Sequence, residues 1–217
     1  MTVLVEACVD SLAAAQQAAA AGAARLELCQ NLDQGGTTPD WELATAVREQ
    51  VGLPLHVLIR PRAGDFHYRG DELGAMERDI ARAKALGAQG VVFGGLDAGG
   101  RIDEGLCRRL LETARPLTAT FHRAFDQVPD PAAALECLAA LGFDRVLTSG
   151  QAATALLGTD RLAALVAQAG GRIGVLAGGG IRSYNVRRIV VASGVREVHS
   201  SGGGEGIRAI VEALAGS

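Results

Sequence analysis

Short β-branched runs alternate along the chain with longer stretches rich in Ala, Leu and Arg, whose apolar positions recur at helical spacing. The runs Val3–Ala7, Arg25–Cys29, Leu55–Arg60, Gly90–Gly94, Thr118–His122, Arg145–Ser149, Ile173–Ala177 and Glu197–Ser200 predict eight strands, each followed by a helix-length segment. Gly22, Gly52, Gly87, Gly142, Gly170 and Gly194 stand where the helices should stop, just before the next strand. Strands joined through single helices are parallel, with right-handed crossovers. Eight such units in unbroken series predict one (β/α)8 (TIM) barrel over residues 1–217, near the small end for that architecture. A doubly wound open sheet is the alternative. It is disfavoured because no early strand runs through G-x-G-x-x-G into a helix.

In a barrel of this kind the chemistry sits at the C-terminal ends of the strands. The first two strands end in Glu6-Ala7-Cys8 and Glu27-Leu28-Cys29, and alternation along a strand puts each Glu on the same face as its Cys. The third carries His56, Leu58 and Arg60 in one phase, and the fifth ends in Thr120-Phe121-His122-Arg123. The sixth ends in Thr148-Ser149, the seventh in Gly178-Gly179-Gly180, and the eighth in His199-Ser200-Ser201. Charges that close apolar runs are costly to bury unless paired or solvated. Their recurrence on strand after strand makes this end of the barrel the candidate site.

Composition narrows the chemistry. A net charge of −3, a pI near 5.8 and 4% aromatic residues argue against a nucleic-acid partner. No apolar run is long enough to span a membrane and no basic leader precedes the first strand, so a cytoplasmic protein is expected. Lys84 is the only lysine and falls in the pattern of a solvated helix, which argues against Schiff-base or pyridoxal phosphate chemistry. The sequence has neither a P-loop nor a G-x-S-x-G elbow, so neither a nucleotide cofactor nor a serine nucleophile is expected.

Longer strings are more specific: His56-Val57-Leu58-Ile59-Arg60-Pro61-Arg62, Thr120-Phe121-His122-Arg123-Ala124-Phe125-Asp126, Leu147-Thr148-Ser149-Gly150-Gln151 and Glu197-Val198-His199-Ser200-Ser201. With Glu6-Ala7-Cys8-Val9-Asp10-Ser11 and Arg25-Leu26-Glu27-Leu28-Cys29, they resemble the CutC copper homeostasis protein family, in order from the first strand to the eighth. The resemblance implies a cytoplasmic (β/α)8 barrel that self-associates as a homo-oligomer and has a role in copper handling. The family has a longer stretch after its eighth strand than Gly202-Gly203-Gly204-Glu205-Gly206 provides, so that loop is expected to be short here.

Several readings of the strand ends stay open. Cys8 and Cys29, on neighbouring strands and in one phase, could hold Cu(I), which selects sulfur ligands, or could simply pack as reduced cysteines. Glu6, Glu27, His122 and His199 could converge on a hard divalent ion. With Arg60 and Arg123 they could instead serve acid–base chemistry of lyase or isomerase type on a small phosphate- or carboxylate-bearing metabolite. The structural alternative is ion pairing of Glu6 or Glu27 with Arg60, Arg62 or Arg123. Gly178, Gly179 and Gly180 could offer backbone amides to an anion, with hydroxyls from Thr148, Ser149 and Ser200, or could form only a tight turn. His56 is expected deep in the barrel and His67 in an exposed loop.

Overall fold

Short polar side chains open the helices where the chain leaves a strand. In the computed structural model, which describes residues 3–216, Ser11 accepts from the Ala14 amide, Asp40 from Glu42 and Asp103 from Leu106. Asp130, followed by Pro131 in the first turn, accepts from Ala132 and Ala133. Gly142, Gly170 and Gly194 stop their helices in the left-handed conformation that glycine adopts without strain. The expected stop at Gly52 is made one residue earlier, at Val51 in extended conformation.

The element order is β1 (Leu4–Val9), α1 (Leu12–Ala20), β2 (Arg25–Leu28), α2 (Trp41–Gln50), β3 (Leu55–Leu58), α3 (Gly70–Ala85), β4 (Gly90–Phe93), α4 (Glu104–Ala114), β5 (Thr118–Phe121), α5 (Pro131–Leu141), β6 (Arg145–Thr148), α6 (Thr159–Ala169), β7 (Gly174–Ala177), α7 (Ser183–Ser193), β8 (Glu197–Ser200) and α8 (Gly203–Ala215). The strands form a closed parallel barrel in sequence order, with β8 pairing back onto β1. All eight strands lie where the hydrophobic pattern placed them. Most of the glycine run after β8 is the first turn of α8 and not a loop, which leaves Ser201 and Gly202 as the connection.

The two faces of the strands differ in chemistry. Val5, Ala7, Leu26, Leu28, Val57, Val91, Phe93, Phe121 and Val146 join the helices in the main core. The lumen is polar: Glu6, Arg25, Glu27, His56 and Thr120 are all buried there, where such barrels usually stack branched aliphatic residues. Register explains who meets whom, because Glu6 lies beside both Arg25 and His199, and Glu27 beside both Cys8 and His56. Arg25 joins Glu6 through Nε and Glu197 through Nη2 at 2.6 Å, and Arg145 meets Glu197 at 3.0 Å. Gly90 makes room for this packing: a Cβ there would stand 2.5 Å from Thr118 Oγ1 and 2.6 Å from His56 Nε2.

Candidate functional site

Above this charged floor, at the C-terminal ends of the strands, lies a cavity of about 160 Å³. Cys8, Glu27, Cys29, Arg60, His122, Arg123 and His199 line it, together with the apolar Leu32, Leu58, Phe66 and Leu147. Cys8 comes from β1, Cys29 from the residue after β2, and His199 from β8, all in the inward phase set by the barrel register. The turns after β2 and β5 bring Leu32 and Arg123 to the rim.

Donor atoms of Cys8, Glu27 and His199 all lie within 4.8 Å of one another, and among the described residues theirs is the group with metal-ligand spacing. The Cys8 thiol donates to Glu27 Oε1 at 3.9 Å, and its sulfur is 3.6 Å from that of Cys29. Cys29 donates in turn to the Val9 carbonyl at 3.7 Å. One layer deeper, Glu6 accepts from His199 Nδ1 at 2.7 Å.

The electrostatics separate the two carboxyls. Burial alone would raise Glu6, but the His199 hydrogen bond and the Arg25 charge outweigh it and hold Glu6 well below the usual carboxylate range. Burial pushes Glu27 up to about 7, with the Glu6 charge adding to the rise and His199 and Arg25 opposing it. His199 is raised: burial disfavours its cation, and the charges of Glu27 and Glu6 restore it. The contact with Cys29, together with burial, pushes the Cys8 thiol well up.

Other expectations are corrected. Glu6 and Glu27 do not pair with the rim arginines: Arg62 is held by Asp65 and Glu72, Arg123 by Asp126, and the buried partner of Glu6 is Arg25. Nor does His122 join Glu6, Glu27 and His199 around one point; its Nδ1 accepts from the Ala124 amide and its ring packs on Phe66. The hydroxyls assigned to an anion are engaged elsewhere. Asp126 accepts from Thr148 Oγ1 at 2.5 Å and Ser149 Oγ at 3.1 Å, while Ser200 donates to the Ile181 carbonyl. Asp126 thus takes two of the three hydroxyls that an anion was expected to use. Gly178 packs on Leu147 and His199 in the cavity wall, Gly179 lies beside Arg123 and Ser149, and Gly180 faces Thr154. His56 is buried in the lumen as expected, 3.3 Å from Thr118 Oγ1, and His67 is half-buried.

Sequence reasoning passed over Arg25, Glu197 and Asp126 as members of this network, and Phe66 as its aromatic wall. Arg25 and Glu197 each open a strand; the register sets Arg25 beside Glu6, and Arg25 in turn reaches Glu197. Asp126 ends the Thr120–Asp126 string quoted above, so a signal for it was present.

The family model of CutC, described as the CutC family, matches residues 3–204. The chain belongs to the CutC family. Relatives of this CutC-family chain include the human copper homeostasis protein cutC homolog, 50% identical over 198 residues that span 91% of this chain and 72% of the human protein. The family protein CutC of Xanthomonas axonopodis pv. citri is 47% identical over 200 residues, or 92% of this chain and 83% of that one. A solved CutC structure from Streptococcus agalactiae superimposes with a TM-score of 0.88 at 34% identity, covering 92% of this chain and 99% of that chain. An aldolase structure at 13% identity, TM-score 0.70, covering 98% of this chain and 94% of that one, shares the barrel fold alone. Among the described residues no helix is long and apolar enough to cross a membrane.

Proposed function

We propose that this CutC-family protein binds copper(I) as cargo at the barrel mouth, through the sulfurs of Cys8 and Cys29. The observation that carries this reading is the pair of free thiols with sulfurs 3.6 Å apart, beside a carboxyl and an imidazole in one cavity. Sulfur donors select a soft monovalent ion over the hard cations that oxygen cages prefer. Two metal–sulfur bonds of about 2.3 Å each reach across 3.6 Å only as a bent pair, since a linear one needs about 4.6 Å. The pair therefore fits a site completed by a third donor, for which His199 and Glu27 stand ready. Binding requires both thiols to lose their protons, and the raised Cys8 thiol makes proton release part of the reaction. Copper(I) and free thiols together suit a reducing compartment, and we place the protein in the cytoplasm. The name of the human relative, a copper homeostasis protein, supports the same reading.

The test is titration of the reduced protein with Cu(I) against a chromogenic chelator. One equivalent should be taken up, and both Cys8→Ser and Cys29→Ser should abolish uptake. Stoichiometric uptake that survives the double replacement would remove the site.

A second reading rests on the opposed Glu6 and Glu27. One carboxylate held ionised a layer below another, in the cavity wall, that burial raises to about 7 is an arrangement by which acid–base enzymes divide their roles.

A further inference from the structure

The donors in the cavity wall fall into two overlapping sets. Cys8 and Cys29 offer sulfur alone, and the Cys29 thiol is turned to the Val9 carbonyl at 3.7 Å. Cys8, Glu27 and His199 offer one sulfur, one oxygen and one nitrogen, all within 4.8 Å of one another. Glu27 is 5% exposed. Among the described residues its Oε1 receives only the Cys8 thiol, at 3.9 Å, and its Oε2 has no hydrogen-bond partner. A buried carboxyl so poorly satisfied is costly, and a metal ion among these three groups supplies what it lacks.

His199 is oriented from behind. Glu6, buried and ionised, accepts from Nδ1 at 2.7 Å. An imidazole that keeps its proton on Nδ1 presents its lone pair at Nε2. A carboxylate behind the ring is the usual partner of a metal-binding histidine, because it fixes the tautomer and strengthens the ligand. Zinc bonds of about 2.0–2.3 Å set tetrahedral donors about 3.3–3.7 Å apart. The 3.9 Å between Cys8 Sγ and Glu27 Oε1 closes to that range with a shift of a few tenths of an ångström.

We infer that Cys8, Glu27 and His199 bind a zinc(II) ion, with its fourth position open to the cavity. A mixed set of thiolate, carboxylate and imidazole suits this borderline ion, whereas copper(I) selects the sulfurs and magnesium or calcium selects oxygen alone. Three protein ligands and an open position are the arrangement of catalytic, not structural, zinc. The cavity of about 160 Å³, walled also by Arg60, Phe66 and His122, has room for a water or a small ligand on the ion. Cys8 gives up its proton as the zinc–sulfur bond forms, so binding releases acid. The zinc and copper sites share Cys8, so one ion excludes the other, and the zinc site stands whether or not copper(I) binds.

The experiment titrates metal-free, reduced protein with Zn(II) against a chromogenic chelator, and with Co(II) as a spectroscopic probe of the same site. One equivalent of zinc should bind. Cobalt should give a sulfur-to-metal charge-transfer band in the near ultraviolet and the intense visible bands of a four-coordinate ion. Glu27→Gln removes the carboxylate and, by relieving a buried charge, keeps the fold. It should bind zinc about a hundredfold or more weakly, since even a partner outside the coordination sphere is worth about 10–100-fold. Cys8→Ser should lose the charge-transfer band. Cys29→Ser should keep the zinc equivalent and the band while losing copper(I), which separates this result from the copper titration. The inference falls if no equivalent of zinc binds, if zinc uptake survives Glu27→Gln, if the cobalt band survives Cys8→Ser, or if Cys29→Ser abolishes zinc together with copper.

Discussion

Replacing Glu27 by Gln keeps the shape of the side chain and removes its ionisation. In the metal-free protein burial lifts this carboxyl from an ordinary 4.5 to about 7. Below pH 4.5 folded and unfolded chains both carry the proton, and Glu27 adds nothing to the pH dependence. Between 4.5 and about 7 the unfolded chain has released a proton that the folded chain keeps, so stability falls as pH rises, at about 1.4 kcal/mol per unit. Over that window the cost reaches about 3 kcal/mol, and above it both states are ionised and the cost stays constant. Glu27 and His199 attract one another, so the change belongs to the pair. Urea unfolding of parent and Glu27→Gln at about pH 4.5, 6 and 7.5 measures it. The variant should gain about 3 kcal/mol on the parent across the series. Two stability curves that stay parallel within about 1 kcal/mol over that range would refute the assignment of a buried, reluctantly ionised carboxyl to Glu27.

Two further predictions concern the network around the site. Glu6→Gln and Arg25→Met should each cost about 3–5 kcal/mol in urea unfolding, since either leaves its buried partner uncompensated, and the double variant should lose less than the sum; additive losses would mean that the pair is not coupled. Asp126→Ala should cost about 2–4 kcal/mol, because Asp126 accepts from Thr148, Ser149 and the Gln151 amide. Hydrogen exchange at Gln151 should speed up in that variant, and unchanged exchange would show that the loop after β6 is held by other contacts.

The fold was legible because its signals are local. Alternating runs such as Val3–Ala7 and helix stops such as Gly142 repeat along the chain, and each is read within a dozen residues. Seven of the candidate residues reached one cavity for the same reason: they stand at or just past the C-terminal ends of five strands, and barrel closure does the rest. What the pattern cannot carry is register between strands. Arg25 sits at the start of β2 and Glu6 in the middle of β1, and nothing in either stretch announces that they face each other. Thr148, Ser149 and Ser200 illustrate the opposite failure. Their residue types suit anion binding, but a hydroxyl is available to a ligand only if no nearby acceptor claims it, and Asp126 and the Ile181 carbonyl do.

The charged lumen bears on how the ring is completed. Glu6 and Arg25, near the chain start, find their partners His199 and Glu197 on the last strand, more than 170 residues later. A growing polypeptide that has emerged only through β7 therefore holds the Glu6–Arg25 pair without the His199 and Glu197 that complete its network. The last strand thus contributes the residues that finish the buried ion network begun by the first two.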